Sequence, residues 1–473
     1  MRIPVLAIRF PVCCLLVAMA RISSLQAHDV GNVQPLTFIG YSAPFGYDET
    51  TTYTDVWGEG DYAMIGSLES GVAILAASGP GPVVHLGTFV PAIPRQIQDV
   101  KASGGYGFFS SPDGGGTFVV DLANPAAPST AYQIDSSVGG HDQVRNVAIG
   151  DGYLFQMDEA SALIHVFDIT SPQYVRSVDT GDSVGIYDAS LVGDRLYASG
   201  LGGDSGEGAV YVYDVADVGM TSPTLLGQVP TGANTSSAWP TSDENYVVVT
   251  HREVGGSLGI WDISDLNQPT LATSADVSDL GLSSYSSSEV VILDDILYVA
   301  WWEAAVQVLD LDNDLLNNGV QLIGQFDTSN FSSPFDGYVG NQSVFAGWGH
   351  DRVLLSDSQW GFHVVDASSA LPPSPNGGDF DDDNDVDGTD FLAWQRGFGL
   401  LTGASGSDGD ANIDGAVDSL DLFIWQDNFG SATATFSAAS TSIPEPSSGV
   451  LLGVTGVYFV LLRQIQRASK APC

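Results

Sequence analysis

Along most of the chain short apolar runs alternate with polar turns, and one run keeps returning. Apolar residues closed by an Asp occur as Phe118-Val119-Val120-Asp121, His165-Val166-Phe167-Asp168 and Val210-Tyr211-Val212-Tyr213-Asp214. They recur as Gly259-Ile260-Trp261-Asp262-Ile263, Val306-Gln307-Val308-Leu309-Asp310 and His363-Val364-Val365-Asp366. A degenerate first copy, Gly71-Val72-Ala73-Ile74-Leu75-Ala76, has Ala in the Asp place. From Asp121 onward the steps are 47, 46, 48, 48 and 56 residues, and a near-fixed period of this size marks a repeat architecture. Upstream of each Asp a turn leads into an alternating strand, as in Gly152-Tyr153-Leu154-Phe155 or Asp295-Ile296-Leu297-Tyr298. A third strand precedes it (Ile97 to Lys101, Val144 to Ala148). A fourth follows most Asp positions, as in Pro223-Thr224-Leu225-Leu226-Gly227 and Val320-Gln321-Leu322-Ile323-Gly324. Seven units of four short strands predict an all-β fold, a seven-bladed β-propeller over residues 34–370.

The last unit has no fourth strand, because after Asp366 the chain runs into Leu371-Pro372-Pro373-Ser374-Pro375. The missing pattern stands at the start, as Pro35-Leu36-Thr37-Phe38-Ile39-Gly40. That N-terminal strand is expected to complete the seventh blade, close the ring and remove an exposed sheet edge. Asp55-Val56-Trp57-Gly58, Ile260-Trp261-Asp262-Ile263-Ser264 and Val308-Leu309-Asp310 resemble the LVIVD-repeat propellers of the choice-of-anchor B type, over roughly residues 34 to 369. The resemblance implies a secreted or surface-attached propeller without an established enzyme activity.

Composition agrees with a turn-rich β protein: 55 of 473 residues are Gly and only 15% are charged. The net charge is −43, with 14 basic against 57 acidic residues. Such a chain repels phosphate backbones, which argues against nucleic acid and for cations, neutral sugars or basic proteins as partners. Arg2 and Arg9 precede the apolar run Phe10 to Ala20, and Leu25-Gln26-Ala27 offers a cleavage site, so residues 1–27 read as a signal peptide. The run is shorter than a membrane-spanning helix. Cys13 and Cys14 leave with it; only Cys473 remains, so the mature fold is expected to rely on a large core, a metal, or both.

Catalytic signals are sparse. Gly181-Asp182-Ser183-Val184-Gly185 fits a nucleophile-elbow pattern, but that motif needs a helix after it, and here a strand from Tyr187 to Leu191 follows. His141 and His251 could share one face, with His350 on the other, and no H-E-x-x-H occurs. Two acidic patterns stand out. Seven residues before each second strand lie Asp55, Asp99, Asn146, Asp188, Trp239, Glu289 and Phe345, on the strand expected to line the central tunnel. The loops between second and third strands carry Glu69, Asp113, Glu159, Asp204, Glu253, Glu303 and Asp357, with Trp301, Trp302 and Trp360 beside two of them. These acids either solvate loops and bridge blades, or form a face for a cation, a sugar or a protein. A near-symmetric rim singles out no catalytic carboxylate pair. The expectation is therefore a binding or scaffold protein, not an enzyme. The alternative is an extracellular carbohydrate-active enzyme, a glycoside hydrolase or lyase, using the acidic loops on polysaccharide.

Residues 371–378 form a Pro- and Gly-rich linker. Beyond it, Asp379, Asp381, Asp383, Asp387 and Asp390 stand at positions 1, 3, 5, 9 and 12 of a loop, with the Asp385 carbonyl at 7. Asp410, Asn412, Asp414, Asp418 and Asp421 repeat that spacing, with the Ala416 carbonyl at 7. Oxygens so spaced wrap a hard cation, as in an EF-hand loop. Gly415 and Asn384 suit the left-handed turn at position 6. The following segments match as well, Trp394-Gln395-Arg396-Gly397-Phe398-Gly399 and Trp425-Gln426-Asp427-Asn428-Phe429-Gly430. The expectation is a small α-helical EF-hand-like module over 379–430 that binds two calcium ions. It resembles dockerin type I modules, which implies a cohesin-like docking partner, although Gly388-Thr389 and Ser419-Leu420 depart from the Ser-Thr often found there.

A polar spacer, residues 431–442, leads to Pro444-Glu445-Pro446, the apolar run Val450 to Leu462 and the bases Arg463, Arg467 and Lys470. Residues 443–473 are similar to PEP-CTERM sorting signals. The similarity implies an exosortase-type sorting enzyme, transient membrane insertion of a short helix, and a final place at the cell surface or extracellular matrix.

Overall fold

The computed structural model describes residues 34–430 except 47–51, 80, 159, 171–172, 183–184, 203–207, 254, 277–279, 281–285, 305, 312–319, 329–339, 372–377, 381–385, 401–403 and 412–415. The signal-peptide and sorting-tail expectations, with Pro444, Glu445 and Pro446, lie outside the described residues. So do the loop acids Glu159 and Asp204 and the calcium-loop positions Asp381, Asp383, Asp385, Asn412 and Asp414. The chain divides at residue 372 into two compact units, each taken by itself below. Among the described residues no helix is long and apolar enough to cross a membrane.

The first unit is a seven-bladed β-propeller. Blade 1 has the strands Tyr53–Glu59, Tyr62–Ser67, Gly71–Ala76 and Val84–Phe89. Blades 2 to 6 repeat this order, with first strands Asp99–Ser103, Asn146–Gly150, Ile186–Val192, Thr235–Pro240 and Val290–Leu293. In blade 7 the strands Asn341–Phe345, Val353–Asp357 and Gly361–Asp366 are joined by Thr37–Ser42, antiparallel to Gly361–Asp366, from the opposite end of the sequence. Just before it, Gln34–Pro35 lies parallel to Gln321–Phe326 at the edge of blade 6. Each first strand packs on the first strand of the next blade, and that of blade 7 on that of blade 1. The seven first strands thus surround the axis.

The repeated Asp has a local task. Asp121 Oδ1 accepts from Ala123 N, Asp214 Oδ1 from Ala216 N, and Asp366 Oδ1 from Ser368 N. Asp168 and Asp262 accept from both the backbone N–H and the hydroxyl two residues on, Thr170 and Ser264. The side chain folds the chain back at the end of the third strand, the turn chemistry for which Asp is favoured. Several first-to-second-strand turns, that of blade 3 among them, are tight hairpins. Asp151 and Gly152 both have positive φ, 49° and 80°, which matches the twist of the flanking strands.

The fourth-strand glycines answer to close packing. A Cβ on Gly227 would lie 2.4 Å from the Leu266 carbonyl of the next blade, and one on Gly87 2.4 Å from that of Pro125. Between blades lie the apolar clusters. Phe155, Met157 and Val166 of blade 3 meet Leu196, Ala198 and Tyr211 of blade 4, and fully buried side chains of this kind each contribute roughly 1.5–3 kcal/mol.

The second unit contains two short helices, α1 (Gly388–Gly397) and α2 (Ser419–Asn428).

Candidate functional site

Because neighbouring strands are antiparallel, each first strand begins on the face that carries the loops between second and third strands. Its leading residues therefore form the mouth of the axial channel on that face. One residue per blade makes a ring: Asp55, Asp99, Asn146, Asp188, Ser237, Glu289 and Ser343, around a cavity of about 60 Å³. Five of these were expected from the sequence. At blades 5 and 7 the expectation is corrected, since Trp239 packs in an apolar cluster and Phe345 packs, tilted, against Trp57 with ring centroids 4.9 Å apart. The cause is turn length. Glu59 is followed almost at once by Tyr62, whereas Pro240 and Tyr246, or Phe345 and Val353, are separated by longer turns. A fixed count back from the second strand lands two residues late.

The ring ties blades together. Asp55 Oδ2 accepts from Val100 N of blade 2 at 3.0 Å, and Asp99 Oδ2 from Val147 N of blade 3 at 2.9 Å. Glu289 Oε2 accepts from Val344 N at 3.3 Å. At the junction of blades 7 and 1, Ser343 Oγ accepts from Val56 N at 3.3 Å and donates to Asp55 Oδ1 at 2.5 Å. Each tie satisfies a buried N–H that would otherwise cost about 1–3 kcal/mol.

Four acids near one axis demand compensation, and Lys101 provides part of it. Its ammonium lies 2.8 Å from Asp55 and 2.5 Å from Asp99, with 12% of the side chain exposed, and 4.9 Å from the Trp57 ring centre. Burial works to raise the Asp55 carboxyl, but Lys101 and hydrogen bonds, including that from Ser343, hold it below its usual range. Burial pushes Asp99 well above that range; Lys101 opposes this and Asp55 reinforces it. Burial alone would lower the Lys101 amine, yet Asp55 and Asp99 hold it well above its ordinary value. Burial also raises Asp188 and, with the Asp55 charge, raises Glu289 strongly. These last two keep a little contact with water in the cavity and are otherwise surrounded by protein. One ammonium cannot neutralise four acids, and Asp99, Asp188 and Glu289 are accordingly held above the ordinary carboxyl range by burial.

The residue ahead of each ring position is polar too. Gln98, Arg145, Tyr187, Ser236, Ser288 and Gln342 line the outer part of the mouth. Arg145 Nη2 and Arg252 Nη1 both donate to Tyr187 Oη, the latter at 2.8 Å, and both guanidiniums lie over the Tyr187 ring, at 4.3 and 5.4 Å. This cationic corner was missed in the sequence. The signal was available: the position before the ring is polar in every one of these blades.

The loop acids act locally. Glu69 Oε2 accepts from Thr52 N at 2.9 Å and Asp113 Oδ1 from Gln96 N at 3.1 Å. Glu253 Oε2 accepts from the Asn234 amide at 3.4 Å. Asp357 is fully buried and takes the N–H groups of Gln359 and Trp360 and the Thr328 hydroxyl, burial raising its carboxyl. In the first three cases the acid pins its loop to the start of the first strand in the same blade. Glu303 is half-buried. Trp301 and Trp302 are 0% and 6% exposed and belong to the core, while Trp360 is half-buried, so the first two offer no flat surface to a sugar.

The remaining candidate residues that are described have structural surroundings. Gly185 leads directly into the strand Ile186–Val192, as an elbow would not. His251 lies between the carbonyls of Thr231 and Ser257, and His141 stacks on His165 at 3.9 Å. His363 is buried between Tyr41 and Phe326, and burial pushes its imidazole down to about 4.

In the two-helix unit the duplication is explicit. Asp387 caps α1 through Thr389 N, and Asp390 reaches back to Asp387 N at 2.8 Å and to Phe380 N at 2.6 Å. Asp418 and Asp421 repeat this with Leu420 N, Asp418 N and Ala411 N. Trp394 Nε1 donates to Asp418 O and Trp425 Nε1 to Asp387 O, so each helix steadies the other half. Asp390, Asp410 and Asp421 are at most 1% exposed. Three buried carboxylates in so small a unit suit a hard cation. Among the described residues no set of three or more His, Cys, Asp or Glu gathers as a metal cage. Asp379 is half-buried beside Phe380, and Ala416 precedes the buried Val417.

No family model and no curated protein matches the chain. Solved structures do. The chain is similar to U3-55K at 12% identity and a TM-score of 0.50, over 67% of this chain and 96% of that one. The RRP9 WD40 repeats give 12% and 0.50, over 67% and 95%. The WD40 β-propeller domain of Doa1 gives 10% and 0.49, over 71% and 97%. Identity this low shows the fold alone. The fold is a β-propeller.

Proposed function

We propose that this is an exported binding and scaffold protein of the LVIVD, choice-of-anchor B kind. Its propeller is a rigid platform, and its C-terminal unit is a dockerin-like calcium module that docks to a cohesin-like or other surface protein. The observation that carries this reading is the pinned loop face, where Glu69, Asp113, Glu253 and Asp357 hold loops in place. Loops fixed in advance lose little entropy on binding a partner. The carbohydrate-active alternative is less well supported. Glu69, Asp113, Glu253 and Asp357 are spent on loop bonds, and the axial cavity of about 60 Å³ is far below the roughly 300 Å³ of an ordinary small-molecule pocket.

The pairing of Thr37–Ser42 with Gly361–Asp366 supports reading the N-terminal strand as the clasp of the ring. Residues 1–27 direct export, and the Pro444-Glu445-Pro446 tail hands the chain to an exosortase-type enzyme. Calcium held by Asp379, Asp381, Asp383, Asp385, Asp387 and Asp390, and by Asp410, Asn412, Asp414, Ala416, Asp418 and Asp421, would supply charge to offset the clustered carboxylates.

The test is a pull-down with the mature protein, run with calcium and with chelator, beside a glycan array and a sugar-release assay. Calcium-dependent retention of a surface protein or polysaccharide is expected, without product. Released sugar would replace this reading with the enzymatic one. Mass spectrometry of exported protein should find its end upstream of Val450.

A further inference from the structure

The axial mouth carries charges of both signs. Arg145 of blade 3 and Arg252 of blade 5 both donate to Tyr187 Oη of blade 4. Glu289 of blade 6 lines the opposite side of the same cavity, three of seven blades away from Arg145. Asp55 of blade 1 and Asp99 of blade 2 share the single ammonium of Lys101, and Asp188 of blade 4 lines the cavity beside Tyr187. Between the two walls, amide and hydroxyl groups of Gln98, Ser288 and Gln342 border a cavity of about 60 Å³. At about 10–15 Å³ for each water, that is room for roughly four to six heavy atoms.

We infer that the mouth binds a small zwitterion, an α-amino acid of glycine or alanine size, with its carboxylate on Arg145 and its ammonium on Glu289. A lone anion would meet Glu289, Asp55, Asp99 and Asp188, which lines the cavity beside Tyr187, and a lone cation would meet the Arg145 guanidinium. A neutral polyol would gain from neither wall. A ligand with both charges a few ångströms apart matches both, and charge-assisted bonds at each end are stronger than neutral ones. The inference goes beyond the platform reading and does not depend on any macromolecular partner.

The groups facing Glu289 set its pH behaviour. Burial raises its carboxyl, the Asp55 charge adds to this, Lys101 opposes it and Asp188 adds a little. An incoming ammonium favours the ionised form, so binding releases a proton and tightens as pH rises.

The experiment is titration calorimetry of the mature, calcium-loaded protein with glycine and alanine, against acetate, methylammonium, glycerol and calcium chloride. Glycine should bind saturably at pH 8 and more weakly at pH 5.5, releasing protons seen as buffer-dependent heat. Acetate and methylammonium should each bind at least tenfold more weakly. Glu289→Gln, which retains an acceptor for Val344 N, should weaken glycine at least tenfold while leaving the unliganded melting temperature within a few degrees. Arg145→Gln should do the same, and the Glu289 variant alone decides the matter should Arg145→Gln fail to fold. Equal affinity for acetate or calcium, full glycine affinity in Glu289→Gln, or no saturable heat below about 50 mM glycine would each overturn the proposal.

Discussion

Replacing Lys101 by Met tests whether axial charge holds the propeller ring together. In the parent protein its ammonium bridges Asp55 at 2.8 Å and Asp99 at 2.5 Å while 12% of the side chain is exposed. Met preserves most of the stem packing, so the change is chiefly loss of one charge. Two buried carboxylates are then left facing each other. Breaking a buried pair in this way costs about 3–5 kcal/mol, because it strands the remaining charge. For a domain of this size the stability changes by about 0.7 kcal/mol per degree at the midpoint, so the melting temperature should fall by roughly 4–7 °C at pH 8.

The pH dependence gives the sharper discrimination. In the parent, Asp55 is held below its unfolded value, so its contribution is present above the ordinary carboxylate range and fades in acid. Lys101 is held above its unfolded value, so its contribution is present below the ordinary lysine range and is lost only in strong alkali. In Lys101→Met both acids should lie above their unfolded values. Stability is then kept while they are protonated and lost as pH rises through the folded values. The deficit against the parent should therefore widen from pH 5 to pH 8, read by reversible chemical denaturation with circular dichroism. A deficit below about 1 kcal/mol at pH 8, or one larger at pH 5 than at pH 8, would refute the reasoning.

Three further outcomes are expected. Deleting residues 28–41 should unpair the Gly361–Asp366 edge and cause aggregation or a large drop in melting temperature, checked by light scattering and calorimetry. Gly227→Ala should cost about 1–3 kcal/mol, because its Cβ would stand 2.4 Å from the Leu266 carbonyl; denaturant titration measures it. Chelation should abolish the helical circular dichroism of an isolated 379–430 fragment, and calorimetry on return of metal should count two calcium ions, with Asp410→Ala losing one.

The β-architecture was legible because its cause is local and repeated. The Asp closing most third strands makes the same turn in blade after blade, and a fourth-strand glycine such as Gly87 or Gly227 marks where a neighbouring blade presses against it. The axial acids were legible for the same reason, up to the point where turn length varies. Ser237 and Ser343 escaped because longer turns at Pro240 and Phe345 moved the register by two. The loop acids were visible as residues but not as bonds. That Glu69 turns inward to Thr52 N depends on three-dimensional closure of the blade, which no spacing encodes. Arg145, Tyr187 and Arg252 lie far apart in sequence and come together only through the ring.

The two layers of the mouth carry different constraints, which bears on where a ligand can be read. Asp55, Asp99 and Ser343 spend their oxygens on N–H groups of the next blade, and changing them loosens the ring whatever else they do. The outer layer is tied differently: Arg145 of blade 3 reaches Tyr187 of blade 4 through side chains rather than through a backbone N–H. A ring that only needed closing could have had small hydroxyls in that layer throughout, as at Ser236 and Ser288. Two guanidiniums over one phenol, in a protein with 14 basic residues against 57 acidic ones, are an expensive way to fill space. Glu289 belongs to both layers, since one of its oxygens ties Val344 N while the residue lines the cavity. Gln at that position keeps an acceptor for the tie and removes only the charge. A fall in ligand affinity without a fall in stability would therefore separate recognition from ring closure at a single residue.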